Sequence, residues 1–591
     1  MSDSAGARWA VRIIAGAGLL LAIHLLVVAL VLPANDPASL RPWPLSLEFS
    51  SWRNSDSSKG VDGFHNFGAP PSPEVPPPGS PWYAPRASHL NNLTTALSPA
   101  TTGVYGFLFN DSATPDGAYG VYNWCNMPHV RRAEYVVPPA EARRSLVYVE
   151  LVHRHHKRTP YASNGFPHEA YPWHCEDARV HLYGQPGAGS RGPGSAKQPG
   201  VAHYAPTFDA PGNPFLSAAL GWHGSCQFPQ LTAGGLEDAW QHGADLYDVY
   251  HGLLGILPAM DAEDGAAWRD HVVFRVTNNP ITSQTATMVL GGMAAAAGIA
   301  AHDAVPDIPL LVEAAGYDSL EPQYTCPTAA ALFAAIIEPG PQDDSASTSA
   351  SIGSSPVWAD HLEKLAPLFA QLDAASGVDP EHPRGFHASV DHYYDNLSAR
   401  QCHGQPPVAG ISQDMADAVF RVGQWEYSRM YRDDARSLAA SVGAWGVWAA
   451  QLAGHLRTAR AESQDAMARG KTTEIKGIRY RHNVAHDGSL GRLLSILQAD
   501  AMVWPGMGSE VVVELWQTEA KADEEQEDDK EEKTPSYDVR VLFGGRVLRS
   551  SHPELGLLDM VPLDALLAYI DGLVGVDATL LPAKCNGTMP L

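Results

Sequence analysis

Apolar and polar positions follow two periods along this chain, and segments of the two kinds alternate. Leu146, Val147, Tyr148, Val149, Leu151 and Val152 form an apolar run broken only by Glu150. A run of that length predicts a strand buried on both faces. Residues 272–277 and the residues leading into His486 read as further strands, and residues 510–517 and 537–542 as an antiparallel pair. A tight hairpin over 539–547 turns at Gly544 and Gly545. Helical spacing appears at Leu246, Tyr247, Tyr250, Leu253 and Leu254, and again at Leu490, Leu493, Leu494 and Leu497; a last helix begins at Pro562 and runs to residue 573. The alternation occupies residues 101–300 and resumes over 471–591, which predicts an α/β domain in two parts. Residues 301–470 between them read as a mainly helical insertion, with Trp425, Met430, Leu438, Trp445, Trp448 and Leu452 as its core. No internal repeat is visible.

The first hundred residues have a different character. Residues 13–32 are apolar except for His24, with Arg8 and Arg12 before them and Asp36 after. That is long enough to span a bilayer, and the flanking charge predicts a cytosolic tail over 1–12 with the body on the luminal or extracellular side. A signal peptide cleaved near Ala34 is the alternative. Residues 33–100 are rich in Pro and Ser and predict a stalk. Residues 184–200 and 340–355 read as low-complexity surface loops.

Composition narrows the partners. The chain has 591 residues, 45% of them apolar, and a formal net charge of −25. Such a charge argues against a nucleic-acid partner. Part of it is local: residues 519–533 hold nine acids and three lysines, a solvated loop between the 510–517 and 537–542 strands. Six cysteines, Cys125, Cys175, Cys226, Cys326, Cys402 and Cys585, are an even set that permits fifteen full pairings. The expected pairs are Cys175 with Cys226, Cys326 with Cys402, and Cys125 with Cys585. Asn92, Asn110, Asn396 and Asn586 each begin an N-x-S/T sequon, so the chain is expected to carry glycans and to pass through an oxidising compartment.

The densest chemistry follows the first strand. Arg154, His155, His156, Lys157, Arg158, Thr159 and Pro160 spell R-H-x-x-R-x-P, with an imidazole between two guanidiniums at a strand end, where catalytic groups collect. Planar guanidinium forks suit phosphate oxygens, so the spacing points to phosphoryl transfer through histidine. The block resembles the signature of the histidine acid phosphatases, R-H-G-x-R-x-P, with His156 in place of the glycine. His486-Asp487 resembles the second signature, a His-Asp pair. A second pair, His302-Asp303, follows an Ala-rich helical run and is set aside. Residues 230–235 resemble the family's Q-L-T-x-x-G segment, and residues 272–277 its strand ending in R-S-T.

The resemblance spans residues 146–498 and is weak over 300–470. It implies a three-layer α/β/α sandwich with a central mixed sheet and a helical cap, the active site lying between cap and sheet. It implies His155 as nucleophile, Arg154, Arg158, Arg275 and His486 as phosphate ligands, and Asp487 as the acid that protonates the leaving oxygen. Cationic neighbours around Asp487 imply an acidic pH optimum. His156 is expected to contact substrate or narrow the pocket. Tyr247, Val249 and Ile281 stand where the family often has arginine, which argues against a highly phosphorylated substrate.

No cofactor and no metal is expected. His153, His155 and His156 suggest a metal tract, but strand alternation would send His153 and His155 to one face and His156 to the other. The leading expectation is a membrane-anchored or secreted acid phosphatase acting on a small phosphate ester or a phosphorylated glycan. A phytase-like inositol phosphatase and a catalytically impaired binding glycoprotein are the alternatives. Substrate and oligomeric state are not legible in the sequence.

Overall fold

Strand β1 (Arg144–Arg154) is buried along nine of its eleven residues and lies inside an eight-stranded sheet of order β8-β6-β5-β1-β4-β2-β3, with β7 against β6. The other strands are β2 (Val272–Val276), β3 (Leu310–Val312), β4 (Tyr480–Ala485), β5 (Glu510–Thr518), β6 (Ser536–Phe543), β7 (Arg546–Val547) and β8 (Val561–Pro562). The computed structural model describes residues 81–98, 122–138, 144–167, 169, 171–176, 178, 181–182, 202–203, 224–260, 266–299, 308–337, 355–380, 385–470, 475–518 and 535–591. The apolar segment 13–32, residues 33–80 and 99–100 of the expected stalk, Asn110, His302-Asp303 and the 519–533 acidic run lie outside them; residues 81–98 are not stalk but pack on the fold, with Trp82, Leu90 and Ala96 buried. Among the described residues no helix is long and apolar enough to cross a membrane.

β1 runs parallel to β4, and β4 parallel to β2, whereas β1 is antiparallel to β5 and β5 to β6. The sheet is therefore mixed, as expected. Glu150, the one charged residue in the β1 run, is accommodated by three donors or partners: Tyr148 Oη at 2.6 Å, His455 Nδ1 at 2.9 Å and Asn483 Nδ2 at 3.2 Å. Pairing of this kind is what allows a carboxylate to sit in a strand core. The paired glycines Gly544 and Gly545, both at positive φ, turn β6 into β7.

Helices cover both faces. On one, α1 (Ala233–Tyr247) and α2 (Pro280–Ala296) pack on each other and, with Phe274, Val276, Val484 and Val512 of the sheet, form a large apolar core. The two helices cross closely because Gly292 leaves no side chain against them; a Cβ there would fall 1.8 Å from the Trp240 carbonyl oxygen. Helix α3 (Pro327–Ile337) lies on the opposite side with α7 (Ser437–Ala468) and α9 (Leu563–Val574). The Trp445 and Trp448 rings of α7 stack at 4.5 Å, and its His455 reaches Glu150 of β1. The layering is α/β/α. Helices α4 (Pro356–Ser376), α5 (Asp391–Gln401) and α6 (Gln413–Ser428) make up the helical domain, where Trp358 stacks on Trp425. Helix α8 (Asp487–Ile496) follows β4 directly.

Three expectations need correcting. Cys175 does pair with Cys226, but Cys326 pairs with Cys585, joining the start of α3 to the C-terminal helix α10 (Leu581–Cys585). Cys125 and Cys402 are not disulfide-bonded, although their Sγ atoms stand 2.8 Å apart; chain distance says nothing about which α3 neighbour is near in space. Asn396 is fully buried on α5, its amide donating to Asn164 O and Glu169 Oε2, so the folded chain does not present this sequon for glycosylation. Asn92 instead caps the short helix Leu93–Leu97, and Asn586 is exposed.

Candidate active site

The register Arg154↔Ala485 brings the parallel strands β1 and β4 to an end side by side, so the residues that follow them, His155 and His486, emerge at one edge. Their ring centroids are 5.7 Å apart. β2 ends at the same edge, and Thr277 there bonds His486 Nε2 through Oγ1 at 2.9 Å. The carboxyl ends of parallel strands are where an α/β sheet offers a site.

His155 is fully buried, and its Nδ1 lies 2.9 Å from the His156 carbonyl oxygen. A carbonyl only accepts, so Nδ1 carries the proton and Nε2 the lone pair. Arg154 Nη2 lies 3.3 Å from Asp487 Oδ2, both side chains being fully buried, and its other terminal nitrogen donates to Pro505 O. The guanidinium also sits 5.0 Å from the Trp124 ring centroid. Arg158 donates to Thr159 O at 2.6 Å and to Asp395 Oδ1 at 3.3 Å, and rests 4.3 Å above Tyr161.

Asp487 opens α8, where the helix N-terminus favours negative charge. Trp504 Nε1 donates to its Oδ2 at 2.8 Å and Gly488 N to its Oδ1 at 2.7 Å. The partners so identified on this carboxylate, Arg154 included, are donors. Above it, Trp504 stacks on Tyr427 at 4.9 Å and meets Trp124 and Tyr394 edge-on or tilted.

The structure thus brings Arg154, His155, His486 and Asp487 together, with Arg158 on the loop that leaves His155. Arg275 is placed otherwise. Its Nη2 meets Glu313 at 2.6 Å and Asp318 at 2.8 Å, and also Ser319, while Nη1 reaches Gln451. Two carboxylates within salt-bridge distance offset its charge.

His156 also departs from expectation. β1 ends at Arg154, so strand alternation no longer governs position 156. Its fully buried ring packs Nε2 at 3.2 Å from His153 Nε2 and at 3.2 Å from His242 Nδ1. His153 Nδ1 in turn meets His482 Nε2 at 2.9 Å, and His242 Nε2 meets Glu510 Oε2 at 3.0 Å. Burial, reinforced by the neighbouring imidazoles, holds His153, His156 and His242 well below the usual histidine range. Burial lowers His482 to about 3 and raises Glu510 to about 7.

Sequence reasoning missed Asp395, Trp504, Tyr427 and this histidine cluster. Thr277 was within reach, as the residue ending the β2 run. Asp395 and Trp504 carry no local signal, because their partners are 237 and 17 residues away.

No protein-family model matches the chain. Counting factor 60 of Dictyostelium discoideum is 23% identical over 297 residues, 50% of this chain and 61% of that protein, so the match spans less than two thirds of the relative. Among solved structures, Hafnia alvei phytase with tartrate is similar at TM-score 0.40 and 13% identity, covering 75% of this chain and 99% of that one. The D. castellii phytase is similar at TM-score 0.38 and 15% identity, covering 76% and 84%. The Bifidobacterium longum multiple inositol polyphosphate phosphatase with phosphate is similar at TM-score 0.36 and 13% identity, covering 78% and 100%.

Proposed function

We propose that this chain is a phosphate-monoester hydrolase of the histidine acid phosphatase type that works through a phosphohistidine at His155. The observation that carries the reading is the register that ends β1 and β4 together and sets His155 beside His486 and Arg154 against Asp487. In the first step His155 Nε2 attacks phosphorus, a P–N bond forms and the ester P–O bond breaks. The leaving alkoxide takes the proton from the Asp487 carboxyl. In the second, a water attacks phosphorus, gives its proton to the Asp487 carboxylate, and the P–N bond breaks to release phosphate. Arg154, Arg158 and His486 offset charge on the non-bridging oxygens.

With the Arg275 charge countered by Glu313 and Asp318, the positive field favours one phosphoryl group over several. That supports a small phosphate ester, or a phosphorylated glycan, as substrate. Two disulfides support passage through the secretory pathway, and we place the catalytic body on its luminal or extracellular side, anchored through residues 13–32 or released from them. Helices α4 to α6 would supply the cap, a shorter stretch than the 301–470 insertion expected from the sequence, because β3, α3 and α7 within it belong to the sheet and the layer that covers it.

The test is hydrolysis of an aryl phosphate from pH 3 to 8, beside His155→Ala. Acid-optimum activity that vanishes in the variant is expected, with a phosphorylated His155 trapped on acid quench. A folded wild-type chain inactive on aryl, alkyl and sugar phosphates would overturn the reading. Asp487→Asn separates the roles further: it should slow alkyl phosphates by about 10²- to 10⁴-fold while sparing aryl phosphates with good leaving groups. Equal slowing of both would remove Asp487 from proton donation.

A further inference from the structure

We propose that His153, His156 and His242 are the protein ligands of a tetrahedral zinc site buried behind the loop that carries His155. The three ligand atoms, His153 Nε2, His156 Nε2 and His242 Nδ1, lie within 4.8 Å of one another, and two of the separations are 3.2 Å. Zinc–imidazole bonds of ~2.0–2.1 Å at tetrahedral angles put ligand nitrogens ~3.3–3.4 Å apart. The side chains already stand at nearly that spacing.

One proton arrangement of the cluster also suits a cation at its centre. Tyr480 Oη lies 3.2 Å from His482 Nδ1, and His482 Nε2 lies 2.9 Å from His153 Nδ1. If each imidazole passes its proton outward, His482 donates to Tyr480 and His153 donates to His482. The lone pair of His153 Nε2 then faces inward. With Glu510 ionised, its Oε1 accepts from Val130 N and its Oε2 from His242 Nε2, which turns the His242 Nδ1 lone pair inward as well. In that arrangement His156 Nε2 meets two lone pairs and has one proton to offer. Its Nδ1 is buried with no hydrogen-bond partner among the described residues. A cation at the centre removes the conflict: the His156 proton moves to Nδ1, and three lone pairs coordinate with no net loss of a proton.

The surroundings are those of a ligand set. A carboxylate behind one histidine and a second imidazole behind another fix tautomer and ring orientation, as outer partners of zinc histidines do. All three ligands are fully buried, so a bound metal would be shielded from solvent. Three imidazoles without thiolate suit zinc, and cobalt as its stand-in. Gly508, at φ +70°, leaves the space the His156 ring occupies, since a Cβ there would lie 2.3 Å from Cε1. Because His156 is joined to His155, the metal would hold the loop after β1 from behind, and on the proposed mechanism that is the nucleophile loop. The metal touches no reacting atom, so the role is positioning.

The inference does not depend on the phosphatase reading, and the experiment keeps the two apart. The full glycosylated chain is dialysed exhaustively and its metals are measured; about one zinc per chain is expected. Refolding in Co²⁺ should give the visible bands of four-coordinate cobalt without a thiolate charge-transfer band. His156→Asn should abolish retention, and Glu510→Gln should weaken it by about 10- to 100-fold. A folded wild-type chain that binds neither zinc nor cobalt overturns the site, and so does a thiolate band or undiminished zinc in His156→Asn. If His156→Asn fails to fold, the wild-type cobalt spectrum decides alone. A zinc-bearing chain with no hydrolase activity would refute only the phosphatase reading.

Discussion

Gly508 and His156 constrain each other more tightly than their positions 352 residues apart suggest. A methyl at Gly508 would meet the His156 ring at 2.3 Å and would also require a left-handed backbone at φ +70°. The backbone strain costs about 1–2 kcal/mol, and the steric conflict adds about 1–3 kcal/mol. Gly508→Ala should therefore lower unfolding free energy by the sum, and by the strain alone in a His156→Gly background. Denaturant unfolding of the four chains measures this, and full additivity of the two substitutions would refute the contact. The pair also shows why a local reading stops short. His155, His486 and Asp487 were legible because each sits where a strand or helix pattern changes. Arg275 was misplaced because the carboxylates that hold it, Glu313 and Asp318, follow 38 and 43 residues later on segments without a motif.

Most of the elements that position the site were legible from periodicity. β1, β2 and the β5–β6 pair fall on runs rich in apolar residues and α8 and α9 on helical stripes, while β4 was read as the strand-like stretch leading into His486. Their register was not legible, since an apolar run does not say which neighbour it meets or with what offset. The same holds for the link between helical domain and sheet domain. His403, just past α5, donates through Nδ1 to Ala399 O, and its Nε2 meets Thr232 Oγ1, the N-cap of α1, at 2.8 Å. Burial lowers His403 from 6.5 to about 4. Its folded-state pKa is thus below the unfolded one, so acid gives the unfolded chain the proton first. The stability of this link is full above about pH 6.5 and is lost as pH falls toward 4, by at most about 1.4 kcal/mol per pH unit and less where solvent reaches the ring. His403→Gln should flatten the fall in melting temperature between pH 6.5 and 4.5. Parallel curves for the two chains would show that the ring does not titrate there.

Across the whole molecule, the C-terminal helix is held to the middle of the chain by a covalent link that sequence spacing did not reveal. Cys326 and Cys585 are 259 residues apart, and the bond fastens α3 and α10 beside Gly443 of α7. Cys175 and Cys226 close only 51 residues. If disulfides act by restricting the unfolded chain, the longer loop contributes about 5.6 kcal/mol and the shorter about 4.1 kcal/mol. The two also differ in what they fasten. Cys175–Cys226 lies in a small cluster with Trp173 and Ala399, near the helical domain, whereas Cys326–Cys585 ties two helices on the sheet side. Replacing both cysteines of each pair by alanine and following urea unfolding should therefore rank Cys326–Cys585 as the costlier loss. It should also leave the Cys175–Cys226 variant with a sheet domain that unfolds near the wild-type midpoint. The reverse ranking would mean that native contacts around Cys175, not chain restriction, set the value of these bonds.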